Sequence, residues 1–398
     1  MIWQRFGCQN VIAQGILFVV GNNSNRIRNL AKGPGMDAVI KSVKIVGMQA
    51  AVPPHRHSYL ETPDDVITLE EAKKVAASTG IHSRRILPPH LCASDMCLAA
   101  AEQLLSSLGW QAESVEVLVY VSQDQDYALP ASACLMQHRL GLPKTAACLD
   151  ISLGCSGFVY GTWLASQMLN SSSAKRALVL CGDTSSRHLL PDDKGTLPLF
   201  GDAGVATALE YDPNWPDSYA VFGTDGKGGQ HIAVEAGGRR KPTMPELSPR
   251  APELEAQLYR ESRLHLNGAA VFSFTLNVVP KLVKQVLALA EKEISDLDIV
   301  VMHQANAFIL EHLRKKIKID PDKYLIDMEE FGNTSSASVP LAICHQLPEF
   351  FTQAQTTLLG GFGVGWSWGA LITEMHLQAP AGITTIQDDF EPLALRQA

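Results

Sequence analysis

The sequence predicts an α/β layered fold built from two duplicated halves. From residue 42 onward, β-rich apolar runs alternate with amphipathic stretches, the pattern of helices laid on the faces of a sheet. The order helix, acidic connector, apolar strand, polar tip occurs twice, in "AAEQLLSSLGWQAESVEVLVYVSQD" and in "VVPKLVKQVLALAEKEISDLDIVVMHQAN". Such self-similarity marks an internal repeat. Each half then closes on strand-like runs, "RALVLCGDT" with "GVATALE" in one and "TTLLGGFGVGWSWGALITEM" in the other.

Taken in order, "SVKIVGMQAAV" reads as a strand and "SDMCLAAAEQLLSSLGW" places apolar residues at helical spacing. "VEVLVYVSQD" is a continuous apolar run, suited to a parallel strand buried on both faces. "LPASACLMQHRLGL" reads as a helix, "TAACLDIS" as a strand and "CSGFVYGTWLASQMLNS" as a helix. "RALVLCGDT" and "GVATALEYD" complete this half as strands. The boundary falls among the turn residues of "DPNWPDS" and "GTDGKGG", giving halves at 42–217 and 218–398. The second half repeats the scheme, with "AFILEHLRKKIKI" as the helix after its "HQAN" strand. Residues 237–256 are polar and proline-containing, a surface loop by composition.

Residues 1–41 read as a poorly structured extension, with Met36 expected as the natural start. The run after Arg5 holds about ten mostly apolar residues, near the lower limit of a signal-peptide core. It falls far short of the roughly 20 residues that span a bilayer. A cytoplasmic protein without a membrane span is expected.

Lys and Arg total 33 against 41 Asp and Glu, a net charge of −8, so no basic excess exists to neutralise a nucleic-acid backbone. Eight cysteines occur without a CxxC pair, several inside apolar runs. This is the usage of a reducing compartment with free thiols. Neither they nor the twelve histidines show a metal-ligand spacing, and no metal or other cofactor is expected.

Four stretches carry chemistry. In "LDISLGCSGFVYG", Cys155 stands where a strand has ended and a helix begins. Unpaired amides and a positive dipole end there should lower a thiol's pKa, and Gly154 and Gly157 should let a substrate approach the backbone. Free cysteine is also among the most buried residue types, so the stretch alone favours a buried thiol. In "DIVVMHQANAF", His303 ends an apolar strand, where α/β folds place ligands; taken alone, a histidine donating to a strand-edge carbonyl reads slightly better. In "FGNTSSASVPLA", Asn333 precedes a run of small hydroxyl residues that also make ordinary helix caps. In "LLGGFGVGWSWGA", dense glycines indicate backbone amides beside a ligand, or a tight hairpin.

A thiol, an imidazole and a carboxamide, each after a β-run, make a Cys-His-Asn set. With "CSGF", "HQAN", "GNTSSASVP" and "GFGVGWSWG" in order, supported by "STGIHSRR" and "FGDAGVATAL", the chain resembles the β-ketoacyl-acyl carrier protein synthase III family. The resemblance runs from about residue 43 to the end. It implies a thiolase-like fold, a layered α-β-α-β-α sandwich, in a homodimer. It implies an acyltransferase that loads an acyl group from a thioester onto Cys155. Decarboxylating condensation with malonyl on acyl carrier protein then gives a 3-oxoacyl thioester.

By matching motifs, His303 and Asn333 would handle malonyl, and the backbone amides of Cys155 and Val364 would form the oxyanion hole, Val364 standing where glycine is usual. Arg187, Leu129, Asn306 and Phe308 would contact substrate, and Arg314, Lys315 and Lys316 would dock the acidic carrier. Phe308 replaces a usual arginine. Lys74 and Ser78 stand where acetyl-CoA users hold the nucleotide with a tryptophan and an arginine. Leu129 replaces a usual phenylalanine at the acyl pocket, sometimes supplied by the other subunit. These departures favour a longer acyl chain, or an acyl carrier protein thioester, over a short acyl-CoA as donor. Two alternatives stand beside this reading: acyl transfer to a secondary-metabolite acceptor, and a non-catalytic partner subunit.

Overall fold

A computed structural model describes residues 35–243 and 252–395. Twelve strands form two six-stranded sheets. They are β1 (Met36–Ile40), β2 (Val43–Val52), β3 (Val117–Val121), β4 (Ala147–Ile151), β5 (Arg176–Asp183), β6 (Ala203–Tyr211), β7 (Ser218–Thr224), β8 (Ile299–Met302), β9 (Tyr324–Leu325), β10 (Gln355–Gly363), β11 (Ser367–Met375) and β12 (Gly382–Thr385). The eight α-helices among the described residues are α1 (Leu69–Thr79), α2 (Ala93–Leu108), α3 (Ser132–Arg139), α4 (Gly157–Asn170), α5 (Pro252–Glu261), α6 (Gly268–Ala290), α7 (Ala307–Ile317) and α8 (Ser338–Gln346).

The first sheet runs β12-β2-β6-β5-β3-β4 and the second β1-β7-β11-β10-β8-β9. From β2 and from β7 inward, the neighbour relations are the same in both: antiparallel, antiparallel, parallel, parallel. The two halves are therefore built to one plan, as the repeated order of elements predicts. Only the outermost strands depart from it. β12 joins β2 in parallel, whereas β1 joins β7 antiparallel, so each sheet is finished by a strand from the far end of the described chain.

The β3 sequence VLVYV is buried at every position, because α2 covers one face of its sheet while α4 and α8 lie on the other. Those two central helices also touch the second sheet, whose outer face is covered by α6. The layers are α-β-α-β-α. Burial divides accordingly into a central cluster around Val119, Phe158, Val301 and Ala342, and an outer cluster under α2 around Leu98 and Leu104. A third lies under α6 around Val283 and Leu310. By length and composition α6 would cross a bilayer; here its apolar stripe closes on β7, β10 and β11.

Two expectations are corrected. The extension expected over 1–41 lies outside the described residues as far as 34, but Met36–Ile40 forms β1, with all five residues paired to β7. Ile40 is buried there, so edge pairing and one apolar anchor order this segment. The loop expected over 237–256 gives way at Pro252 to α5; residues 244–251 are outside the described residues.

Candidate active site

Cys155 occupies the corner between β4 and α4, two residues before the helix begins. The corner is held against the β10–β11 hairpin: Ser156 Oγ lies 2.7 Å from Ser367 Oγ, which donates to the Val364 carbonyl at 2.7 Å. This tie orients the turn after β10, and the Val364 N–H reaches the Cys155 sulfur, as does the amide of Cys155 itself. The glycine-rich stretch is thus both a hairpin and a source of amides at the thiol. A Cβ on Gly363 would lie 2.7 Å from Cys155 Cβ and 2.8 Å from Sγ, and one on Gly361 2.8 Å from the Cys155 carbonyl oxygen. These glycines make room for the Cys155 corner. Gly154 and Gly157, expected to admit substrate, serve packing, since a Cβ would meet Gln123 at 2.1 Å or Val121 at 2.5 Å.

His303 follows β8 and is buried. Its Nδ1 lies 2.7 Å from Ser338 Oγ at the start of α8. Asn333 sits in a segment pinned to the loop before β6: its N–H donates to Leu199 O at 2.8 Å, and Gly201 N–H donates to its carbonyl at 3.1 Å. Ser335 N–H donates to Asn333 Oδ1 at 2.9 Å, which turns Nδ2 away from the backbone, free to donate. Ser335 holds this turn at φ 53°, a left-handed conformation unusual outside glycine, and its hydroxyl bonds the Cys155 thiol.

Cys155, His303, Asn333, Asn306 and Val364 line one cavity of about 890 Å³. Part of its wall is apolar, with Ile232, Leu264, Leu266, Val271 and Ile309; part is polar, with Gln123, Asp124, Asp183, Ser185 and His188.

The electrostatics depart from the sequence expectation. Burial pushes the Cys155 thiol up to about 11, and the Asp183 carboxyl pushes the same way; the Val364 and Cys155 amides and the Ser335 hydroxyl only partly offset this. The positive helix end is outweighed by the water that burial removes from a thiolate. Burial likewise lowers His303 to about 4, a backbone hydrogen bond with Ser335 acting the other way. Near neutral pH the site therefore rests as thiol and neutral imidazole.

Other expected contacts fall elsewhere. Arg187 Nη2 donates to the carbonyls of Pro88, at 2.9 Å, and Leu91, so its guanidinium braces a loop outside the cavity wall. Asn306 lines the cavity, but its Oδ1 caps α7 by accepting from Ile309 N–H at 2.8 Å. Leu129 is 82% exposed and absent from its own chain's cavity wall. Phe308 is exposed, packed against Phe272 and His312 at the surface. Of the three basic residues on α7, Arg314 is taken up by Glu311 at 2.9 Å and by the Ile319 carbonyl, and Lys316 donates to Leu276 O at 2.8 Å. Lys315 is exposed and unpaired among the described residues.

Sequence reading passed over Asp183. At the end of β5 it accepts from the Ser336 amide at 3.0 Å, the Ser336 hydroxyl at 2.6 Å and the Gln123 amide at 2.8 Å. It thereby ties the Asn333 segment to the sheet that carries Cys155. Its one signal was an acidic residue ending an otherwise apolar strand, "RALVLCGD".

A duplicated five-layer body with a cysteine at the foot of its central helix is the build of the thiolase-like condensing enzymes. The profile described as 3-oxoacyl-[acyl-carrier-protein (ACP)] synthase III matches residues 149–226, and that of its C-terminal region 287–375. The beta-ketoacyl-[acyl-carrier-protein] synthase III of Symbiobacterium thermophilum is 32% identical over 339 residues, spanning 83% of this chain and 98% of its own. A crystal structure of a 3-oxoacyl-(acyl-carrier protein) synthase from Burkholderia xenovorans LB400 is similar at TM-score 0.80 and 33% identity, covering 89% of this chain and 99% of that one. A 3-oxoacyl-(acyl-carrier-protein) synthase III structure matches at TM-score 0.75 and 36% identity, over 84% and 100%. The chain belongs to the 3-oxoacyl-[acyl-carrier-protein] synthase III family and is an acyltransferase of the condensing type.

Proposed function

We propose that this enzyme condenses an acyl group held on Cys155 with malonyl-acyl carrier protein, releasing carbon dioxide and a 3-oxoacyl-acyl carrier protein. The observation that carries the reading is the convergence of Cys155, His303 and Asn333 on one cavity, with two backbone amides directed at the sulfur.

In the first half-reaction Sγ bonds to the donor thioester carbon. The oxyanion develops beside the Cys155 and Val364 amides, and the donor thiol leaves with a proton. Preorganised donors of this kind are worth about 3 kcal/mol each in the transition state. In the second half-reaction the malonyl thioester oxygen faces His303 and the Nδ2 of Asn333. Loss of carbon dioxide moves an electron pair onto the carbon beside the thioester, and both donors stabilise the enolate. A neutral imidazole donating from Nε2 suits this step, because it offers a hydrogen bond without a proton ready to quench the carbanion. The carbanion attacks the acyl-cysteine carbon, and sulfur leaves as thiolate.

Acyl-CoA or acyl carrier protein thioesters serve as donors, with no added cofactor. The exposed Leu129 loop suits a homodimer in which it reaches a partner, and Lys315 is the cation best placed to meet an acidic carrier. The seven described cysteines are free thiols, in keeping with a cytoplasmic, reducing setting. The deciding experiment is intact mass after incubation with acyl donors, followed by malonyl-carrier. A Cys155 adduct that is consumed with carbon dioxide release supports the reading. An adduct that persists without carbon dioxide release points to another acceptor, and no adduct points to a non-catalytic subunit.

A further inference from the structure

The cavity holding Cys155 contains a polar group that neither half-reaction uses. Asp124 and His188 line it, beside Gln123 and Ser185. His188 Nε2 lies 2.5 Å from Asp124 Oδ1. The other carboxylate oxygen accepts from the Thr184 amide at 2.5 Å and the Thr184 hydroxyl at 3.0 Å. The pair is therefore fixed on the end of β5, next to Asp183. The His188 carbonyl in turn accepts from Leu264 N–H at 2.6 Å, which joins this polar wall to the apolar one. The second ring nitrogen, Nδ1, has no hydrogen-bond partner among the described residues.

We propose that His188, held by Asp124, is a subsite for a hydroxyl group carried on the acyl chain of the donor thioester. This rests on the reading of Cys155 as the residue that is acylated, and it names the substrate class of that site. A plain alkyl chain laid against this wall would strip water from Nδ1, Gln123 and Ser185 without replacing its hydrogen bonds, which is unfavourable for buried polar groups. A hydroxyl replaces them. It accepts from Nδ1–H when the ring is protonated and donates to the Nδ1 lone pair when it is not, so it fits both states. A carboxylate fits less well, because Asp124, Asp183 and Asp193 all line the same cavity. The hydrogen bond to Asp124 is the main cause raising His188 from its ordinary value, with burial, and Arg263 to a smaller extent, acting against it. Nδ1 is thereby biased toward donating. A site built to hydrogen-bond a hydroxyl discriminates strongly against an analogue that lacks it.

The test compares loading of Cys155 by CoA thioesters of equal chain length: unsubstituted, hydroxylated at the third carbon, hydroxylated at the chain end, and carboxylated at the chain end. Rates are read by intact mass. One hydroxylated donor should load at least roughly tenfold faster than the unsubstituted one. His188→Leu should bring that ratio close to unity, and His188→Gln, which keeps a donor, should restore most of it. Preference for the unsubstituted or carboxylated donor in the wild-type enzyme overturns the subsite. So does a ratio that survives His188→Leu. Failure of every donor to form an adduct, whether presented as a CoA or as an acyl carrier protein thioester, overturns the nucleophile reading itself, an outcome distinct from loading without preference.

Discussion

Nδ1 of His303 lies 2.7 Å from Oγ of Ser338, and the same hydroxyl oxygen accepts the Gln304 N–H at 3.3 Å. With that amide as donor, the hydroxyl's own proton is best spent on Nδ1, leaving the ring hydrogen on Nε2. That is the tautomer an oxyanion donor needs. Ser338→Ala should therefore slow carbon dioxide release from malonyl-carrier about tenfold or more, the usual cost of removing an orienting partner. Cysteine acylation should fall far less, and Ser338→Thr should recover most of the loss. Equal losses in both half-reactions would contradict this assignment.

Gly363 tests the Cys155 corner sterically. Its pro-Cβ position is 2.8 Å from Cys155 Sγ, and it is paired to Ser367 of β11, whose hydroxyl lies 2.7 Å from that of Ser156. Gly363→Ala should reduce acylation by at least about 100-fold, since small displacements of reacting groups cost that much. Adduct formation by intact mass reads this directly, with circular dichroism as the check on folding.

With the thiol raised to about 11 by burial, the reactive thiolate is scarce at neutral pH. Alkylation of Cys155 by iodoacetamide should climb nearly tenfold per pH unit from about pH 7 to 9. A plateau below pH 8 would show a thiolate stabilised far more than burial at this corner allows.

His303 falls from 6.5 to about 4 on folding. Between those values the unfolded chain takes up a proton that the folded chain refuses, so this group's contribution to stability drops as pH falls from 6.5 towards 4. Asp183 acts in the opposite sense. Burial raises it from 3.8 to about 7, so the folded chain keeps a proton the unfolded chain gives up, and its contribution drops as pH rises through that window. His303→Gln should remove the acid-side loss. The stability difference between variant and wild type, from denaturant melts, should shift by up to about 3 kcal/mol between pH 6.5 and 4.

Among the basic residues of α7, only Lys315 is unpaired among the described residues. Lys315→Glu should raise KM for malonyl-carrier several-fold, increasingly so at low salt, because a rim charge acts mainly through association. Loading from acyl-CoA should be unchanged. Insensitivity of the carrier step would move docking off this helix.

Much of the site was legible because its signals are local. The strand endings before Cys155 and His303 show in short apolar runs, and the motifs around Asn333 and the glycine hairpin keep their spacing whatever they pack against. For Arg187, Arg314 and Asn306 the sequence does not show the groups of their own chain that they bond, because a charged or amide side chain advertises its chemistry but not its partner. Their partners are the Leu91 carbonyl, Glu311 and the Ile309 amide. Leu129, matched to the acyl pocket, is exposed on its own chain.

The sequence by itself determined the duplicated α/β plan and marked Cys155, His303 and Asn333 as candidates, because hydrophobic period and residue type are written along the chain. Tertiary structure decided the state of those groups. Asp183 meets Ser336 across 153 residues of sequence, and Ser156 meets Ser367 across 211. Solvation of the thiol and the imidazole depends on what such distant segments bury, and no local pattern records it.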